Sequence, residues 1–226
     1  MDFLFLVLTA VLVFAILIVS NRFWGKDALF VVGIGCAIGS NIYNVGDYGI
    51  VIGNLVFGID SVIYTVFVFV VLLCLKNYDE KSAFTLLYSA MGSIMLSALL
   101  VFIASWASAG FASNLIWGFV SYLISVIATF AALFTTIKLF KYFEGKNLNV
   151  YLNFLINVLI ASFINSLIYF GAVAIISGFE ENFLGQLGAS YIGKLMSTAF
   201  SLLTYFICTK LPYKKINEND NQIEKK

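Results

Sequence analysis

The chain has 226 residues, of which 62% are apolar and only 11% are charged, with no histidine and a net charge of +1. A composition this apolar excludes an ordinary soluble domain, and the near-neutral charge argues against nucleic acid as a partner. The composition indicates a chain that folds in a lipid bilayer. A bilayer favours helices of about 20 apolar residues, because the backbone must satisfy its own hydrogen bonds there.

Apolar stretches follow one another along the chain, each bounded by charged residues or by Asn and Gly. The seven stretches cover residues 3–19, 28–45, 49–75, 83–107, 114–137, 149–178 and 183–209. The sequence therefore predicts an all-α integral membrane protein, a bundle of seven transmembrane helices that forms a single domain over residues 1–212. The polar segment 213–226 has too few apolar residues to bury a core, so we expect a disordered cytoplasmic tail.

The basic residues predict how this bundle is oriented. Of the 13 Lys and Arg residues, all but Lys194 lie in alternate gaps between the stretches or in the tail. The positive-inside rule makes that face cytoplasmic, so the N-terminus is predicted outside and the C-terminus inside, in a multi-pass protein of the cytoplasmic membrane. Asp2 precedes the first stretch and Arg22 and Lys26 follow it. This charge order is typical of a retained, reverse-oriented anchor and is opposite to that of a signal peptide.

The sequence carries no sign of an active site. Cys36, Cys74 and Cys208 have no paired spacing and no histidine to complete a metal set, so we expect them to be structural and expect neither a metal nor a cofactor. There is no catalytic motif and no phosphate-binding loop, which predicts that the chain is not an enzyme. ATP-driven transport by this chain alone is excluded on the same ground.

Two charges are predicted to lie deep in the bilayer, where an ionisable group costs about 2.5 kcal/mol or more. Asp60 is 13 residues after Asp47 and 16 before Lys76, which places it near mid-membrane in a continuous helix. Lys194 is 11 residues inside the seventh stretch. The hypothesis is that Asp60 and Lys194 either pair directly or face one polar cavity. A purely structural ion pair between two helices is the alternative.

Amides and a phenol are predicted at similar depth and complete a candidate substrate-binding set. Asn165 is near the middle of the sixth stretch, Asn54 in the outer half of the third and Asn41 at the outer end of the second, while Tyr191 shares a helix face with Lys194. Such groups can line a pocket that opens outward. Singly, each can instead be an interhelical hydrogen bond, worth about 0.6 kcal/mol on average.

The Gly-rich segment 46–58 has two interpretations. Glycine weakens a helix, which predicts a bent or broken segment beside a cavity. The alternative is a continuous helix in which Gly49 and Gly53 form a packing face, as Gly35 and Gly39 do in the preceding span.

Motifs spread over much of the chain resemble the vitamin-uptake-type (VUT) transporter family, which is similar to queuosine precursor transporters. The opening match consists of Arg22, Phe23, Gly25, Lys26, Asn41, Ile42, Gly53, Asn54, Phe57 and Gly58. Later matches are Tyr78 with Ala83, SYLIS at 121–125, FINSLIYFGAVAIISG at 163–178, and Tyr191 with Lys194. Asn165 stands where the family has Asp, and Val126 and Thr129 stand where it has Gln and Asp.

The resemblance implies uptake of a small planar nitrogenous solute, a queuosine precursor or a related base or vitamin. Asp60 would accept hydrogen bonds from an amine, Asn165 and Asn54 would pair with an amide edge, and Lys194 would contact a carbonyl. Two other functions stay open. The chain is alternatively the substrate-binding subunit of an energised uptake system, with separate energising subunits or further copies of itself as partners, or a non-transporting sensor or scaffold.

Overall fold

The computed structural model describes residues 2–45, 49–52, 55–109, 113–177 and 183–210. Within these ranges the chain forms six helices and one hairpin of two short strands. The elements are α1 (Asp2–Val45), β1 (Gly49–Ile52), β2 (Leu55–Gly58), α2 (Ile59–Asn77), α3 (Glu80–Ala109), α4 (Ser113–Gly145), α5 (Val150–Ser177) and α6 (Phe183–Lys210). The predicted tail 213–226 lies outside the described residues.

All six described helices are long and apolar enough to cross a membrane. Many large apolar side chains face outward, among them Val31 at 73% and Leu184 at 77% of their full exposure. Outward-facing apolar side chains on long helices are what a lipid solvent requires. The chain is therefore built as a multi-pass helical membrane protein.

Helix α2 forms the centre of the bundle. Its run of Val, Phe and Leu from 66 to 75 is almost completely buried, because apolar residues occur on every face of the helix. The Phe69 ring lies 6.0 Å from Phe14 of α1, 5.6 Å from Phe154 of α5 and 6.2 Å from Tyr205 of α6, measured between ring centroids. One aromatic residue of α2 thus contacts three other helices.

Helix α1 folds back on itself at Gly25. This glycine has a non-helical backbone with φ 62° and ψ −132°. Phe14, before it, contacts Phe69, whereas a Cβ at Gly33, after it, would lie 3.1 Å from Val70. A straight helix would separate positions 14 and 33 by about 28 Å, at 1.5 Å per residue. Both arms of α1 therefore pass α2 at the same level, and these arms contain the predicted stretches 3–19 and 28–45.

The third predicted stretch, 49–75, does not begin as a helix. Residues 49–58 form the antiparallel pair β1 and β2, in which Gly49 is opposite Gly58 and Ile52 is opposite Leu55. Of the two interpretations of the Gly-rich segment, the interrupted helix is the one observed. The two four-residue strands satisfy their backbone groups by pairing with each other. The packing face proposed for Gly49 and Gly53 in a continuous helix is therefore wrong for Gly49, and Gly53 lies outside the described residues.

Ion pairs gather at one end of the bundle. Lys76 at the end of α2 contacts Glu144 at 3.1 Å, and Lys138 of α4 contacts Glu80 of α3 at 2.7 Å. Glu144 also accepts a bond of 2.8 Å from Lys141. This charged end is formed by the segments whose basic residues predicted a common face.

Candidate functional site

A polar cavity of about 30 Å³ lies inside the bundle, where α1, α2, α4, α5 and α6 converge. It is lined by Ser40, Asp60, Tyr64, Ser125, Thr129, Asn165, Ser166, Tyr169, Phe170, Ser190 and Lys194. A cavity of this size has room for about one or two water molecules. Most of the residues that line it carry a polar group, and two of them carry opposite charges.

Lys194 lies at the wall of this cavity and is only 3% exposed. Its Nζ donates to Asn165 Oδ1 at 2.7 Å and to Ser166 Oγ at 2.8 Å. The ammonium also lies 4.8 Å from the centroid of the Tyr64 ring, within the range of a cation–π contact. Oxygen acceptors and an aromatic face replace the water that a buried ammonium has lost.

Asp60 lies in the first turn of α2, beside the same cavity. The free N–H groups at a helix N-terminus favour a carboxylate there. No direct ion pair within 4 Å joins Asp60 to Lys194 in the part of the chain that the structure describes. Their opposite charges nevertheless attract each other across the cavity. Of the two arrangements that we expected, the structure has both groups facing one polar cavity.

The placement of Asp60 in the middle of a continuous helix from Asp47 to Lys76 is wrong, because a hairpin precedes it. The hairpin returns the chain to its starting level, with Gly49 opposite Gly58. Asp60 therefore begins the helix instead of lying in its middle, and about 24 Å of α2 separates it from Lys76 at the charged end. The cavity thus lies at the end of α2 that is remote from the ion pairs.

Asn165 connects the ammonium to α4. Its Nδ2 donates to Thr129 Oγ1 at 3.2 Å while its Oδ1 accepts from Lys194, so the two bonds specify the orientation of the amide. Ser166 is hydrogen-bonded both to Lys194 and to Ser190 of α6, the latter at 3.3 Å. Tyr64 donates to the carbonyl of Ala161 at 3.2 Å, which holds its ring under the ammonium. These bonds join four helices around the cavity.

The structure brings together half of the predicted binding set. Asp60, Lys194 and Asn165 line the cavity. Tyr191 does not, because its ring packs against Phe163 with the centroids 5.9 Å apart. Asn54 lies outside the described residues, and Asn41 is described only as part of the α1 backbone.

The remaining lining residues were missed at the sequence level. Ser125 and Thr129 lie one turn apart on α4, and Ser166 and Ser190 belong to α5 and α6. Hydroxyl residues are common in membrane helices and bond to their own backbone there, so singly they carry little signal. Four-residue spacing is the pattern that would have indicated shared faces, since it separates Ser125 from Thr129, Asp60 from Tyr64, and Ser190 from Lys194.

Comparison of the chain with family models, with curated proteins and with solved structures finds no match.

Proposed function

We propose that the chain is a membrane transporter that takes up a small planar nitrogenous solute, a queuosine precursor or a related base or vitamin. The observation that carries the proposal is the cavity between Asp60 and Lys194. A carboxylate and an ammonium line one cavity of a lipid-solvated bundle without bonding to each other directly. Ionisable groups retained in a membrane interior are costly and are typical of substrate pathways.

The chemistry of the lining supports a solute with both donor and acceptor groups. Asp60 accepts hydrogen bonds and suits an amine or amidine edge, whereas Lys194 donates them and suits a carbonyl or an anionic group. Tyr169 and Phe170 line the same space and provide aromatic surface for a flat ring. A solute that bridges the two charges would replace the attraction that they now exert across the cavity.

The small volume of the cavity supports a closed state of a carrier. A nucleobase needs more than about 30 Å³, so the helices must separate to admit it. Carriers work by alternating between states in which a central site opens to one side or the other. A cavity that holds the binding groups but is too small for the solute fits the intermediate between two such openings.

We further propose seven spans, with the two arms of α1 crossing separately. The fold-back at Gly25 supports this count, because Phe14 and Gly33 lie on either side of it and both contact the middle of α2. The charged end is assigned to the cytoplasm, which places the N-terminus outside and the C-terminus inside the cytoplasmic membrane. Reporter fusions at the two termini test this assignment, since an even number of spans would put both on one side.

The experiment that tests transport is uptake of labelled queuosine precursors, with a panel of purines and vitamins, into cells that lack their own carriers. Wild type is compared with Asp60→Asn and Lys194→Met. Lys138→Met is the matched control, because Lys138 pairs with Glu80 at the charged end, away from the cavity. We expect both cavity variants to lose uptake while the control retains it. Unchanged uptake in both cavity variants would refute the site.

One observation favours the second candidate, a substrate-binding subunit of an energised system. A Cβ at Gly35 would meet nothing within 4 Å, so this part of α1 presents an open, narrow surface to which another membrane helix could pack closely. Copurification of an ATPase pair with the chain would support this candidate. A chain that binds solute but neither transports it nor recruits a partner would support the sensor or scaffold.

A further inference from the structure

The inward face of α6 is polar along the whole distance from the cavity to the charged end of the bundle. Below Lys194 its buried positions are Ser197, Thr198, Ser201, Thr204, Tyr205 and Cys208, each at most 3% exposed. These residues recur every three or four positions, singly or as adjacent pairs, and so lie on one side of the helix. We call this side the polar face of α6. The opposite side carries Leu203 at 60% and Phe206 at 48% exposure.

Three hydroxyl groups of this face donate to the backbone of α6 itself. Ser197 donates to the carbonyl of Gly193 at 3.0 Å, Thr198 to that of Lys194 at 2.8 Å and Ser201 to that of Ser197 at 3.1 Å. All three bonds stay within α6. Polar residues between membrane helices usually stabilise a bundle through hydrogen bonds from one helix to another, and these three bonds make no such link. Bundle stability therefore gives no reason for their polarity.

Buried polar atoms without a partner lie along the same part of the bundle. The hydroxyl of Tyr205, on the polar face itself, has no hydrogen-bond partner, and neither does the hydroxyl of Ser162 on α5. Both residues are fully buried. A buried hydroxyl without a hydrogen-bond partner costs free energy, whereas a hydroxyl in contact with water forms that hydrogen bond with a water molecule. These groups are better suited to a hydrated surface than to the packed one that they now occupy.

The wall opposite Tyr205 is aromatic. The Tyr205 ring stacks on Phe154 at 4.4 Å and meets Phe69 of α2 and Tyr151 of α5 edge-on at 6.2 Å and 5.9 Å, all measured between centroids. Contacts between apolar rings can separate without leaving a hydrogen bond or an ion pair broken. At this level the polar face of α6 is therefore closed against α2 by packing alone, and against α5 by packing and one hydrogen bond of 3.4 Å between the hydroxyls of Tyr151 and Thr209.

We propose that the polar face of α6 lines the inner half of the solute's route, from the cavity at Lys194 to the charged end, and that the described state holds this route shut. The inference rests on the proposed transport function. When α6 moves away from α2, water and solute gain a surface of hydroxyl groups that begins one turn below Lys194 and ends at Cys208. Thr204 and Tyr205 lie about two thirds of the way along it, and Leu203 lies at nearly the same depth on the lipid side.

The test is thiol labelling of a chain in which Cys36, Cys74 and Cys208 have been replaced by alanine. Thr204→Cys and Leu203→Cys are then introduced separately, since these neighbours share a depth and face opposite sides. Each is exposed to a membrane-impermeant maleimide in inside-out vesicles, where the charged end faces the reagent. Because thiols react as thiolates and need water, we expect Thr204→Cys to be labelled at least about tenfold faster than Leu203→Cys.

Ser201→Cys is the second variant of the polar face and keeps the test valid if Thr204→Cys does not fold. The proposed route would be overturned if both polar-face cysteines were labelled as slowly as Leu203→Cys in correctly inserted protein. The measurement needs no knowledge of the solute. If the cells accumulate none of the tested solutes but Thr204→Cys is labelled rapidly, the solute assignment is refuted and the proposed route still stands.

Discussion

Lys194 Nζ lies 2.7 Å from Asn165 Oδ1, and this bond joins the seventh and sixth predicted spans at the wall of the cavity. The same amide donates through Nδ2 to Thr129, so both of its polar atoms are used. A neutral amide at this position solvates the ammonium without cancelling its charge, and that charge still attracts Asp60 across the cavity.

The bond between Lys194 and Asn165 predicts the effect of removing its acceptor. Asn165→Leu should lower the free energy of unfolding by about 1.5–3 kcal/mol, because hydrogen bonds to charged groups contribute that much. Thr129→Val, which removes only the neutral bond at the other end of the amide, should cost about 1 kcal/mol. Unfolding of both purified variants in detergent measures the difference. Equal losses would show that the bond from the ammonium to Asn165 adds nothing to stability.

The charges of Asp60 and Lys194 predict non-additive effects on stability. Lys194→Met leaves the carboxylate without its counter-charge, so we expect it to be less stable than the double variant Asp60→Asn with Lys194→Met. The coupling free energy should fall in the range of about 0.5–3 kcal/mol that interacting residues show. The double variant should be expressed well and still fail to accumulate solute. If it transports normally, the two charges form a structural pair only.

Gly25 should tolerate no side chain. Its φ of 62° and ψ of −132° belong to a region that residues with a Cβ rarely adopt. Gly25→Ala should therefore destabilise the folded protein by about 1–3 kcal/mol. Gly35→Ala is the control in the same helix, since its added Cβ would meet nothing within 4 Å, and it should change stability by less than about 0.5 kcal/mol. Thermal unfolding in detergent compares the two.

Asp79 caps helix α3 and makes stability depend on pH at the charged end. The backbone N–H of Ser82 donates to Asp79 Oδ1, and this bond holds the pKa of the carboxyl below its ordinary value. A lowered folded-state pKa means that the stabilisation is complete above the ordinary aspartate pKa of about 3.9 and is lost as the pH falls through the folded value.

Asp79→Ala should accordingly be less stable than wild type at neutral pH, and the gap should close as the solution is acidified through that window. Asp79→Asn is the matched control, because an asparagine still caps the helix but does not titrate. Melting temperatures of the three proteins against pH measure this. A gap between wild type and Asp79→Ala that persists at the acidic limit would show that the carboxylate is not what stabilises this cap.

Much of the fold followed from local composition. Apolar runs separated by Lys, Arg, Asp and Glu predicted long membrane helices, because the backbone N–H and C=O groups of each run must hydrogen-bond to each other in lipid. The runs 3–19 and 28–45 lie in the two arms of α1, and the fold-back at Gly25 lies in the gap between them. The hairpin at 49–58 was less accessible to prediction, since Ile, Val, Leu and Phe suit a membrane helix and a strand equally well.

The candidate site was likewise only partly predictable from the sequence. Asp60 and Lys194 were identifiable from the sequence, because a charge inside an apolar run is costly wherever its helix lies. Tyr64, Ser125 and Thr129 were not, because nothing in an apolar helix distinguishes a tyrosine or hydroxyl residue that lines a cavity from one that packs against lipid or a neighbouring helix.

The sequence by itself determined that this is a membrane bundle and that two opposite charges are retained within it. Only the tertiary structure decided that Asp60 begins a helix, that it faces Lys194 across a cavity instead of pairing with it, and that Asn165 and Ser166 hold the ammonium. The cost of a charge in lipid is a property of one residue and its depth. Its partners depend on how helices rotate and pack against each other, which is decided by side chains far apart in the chain.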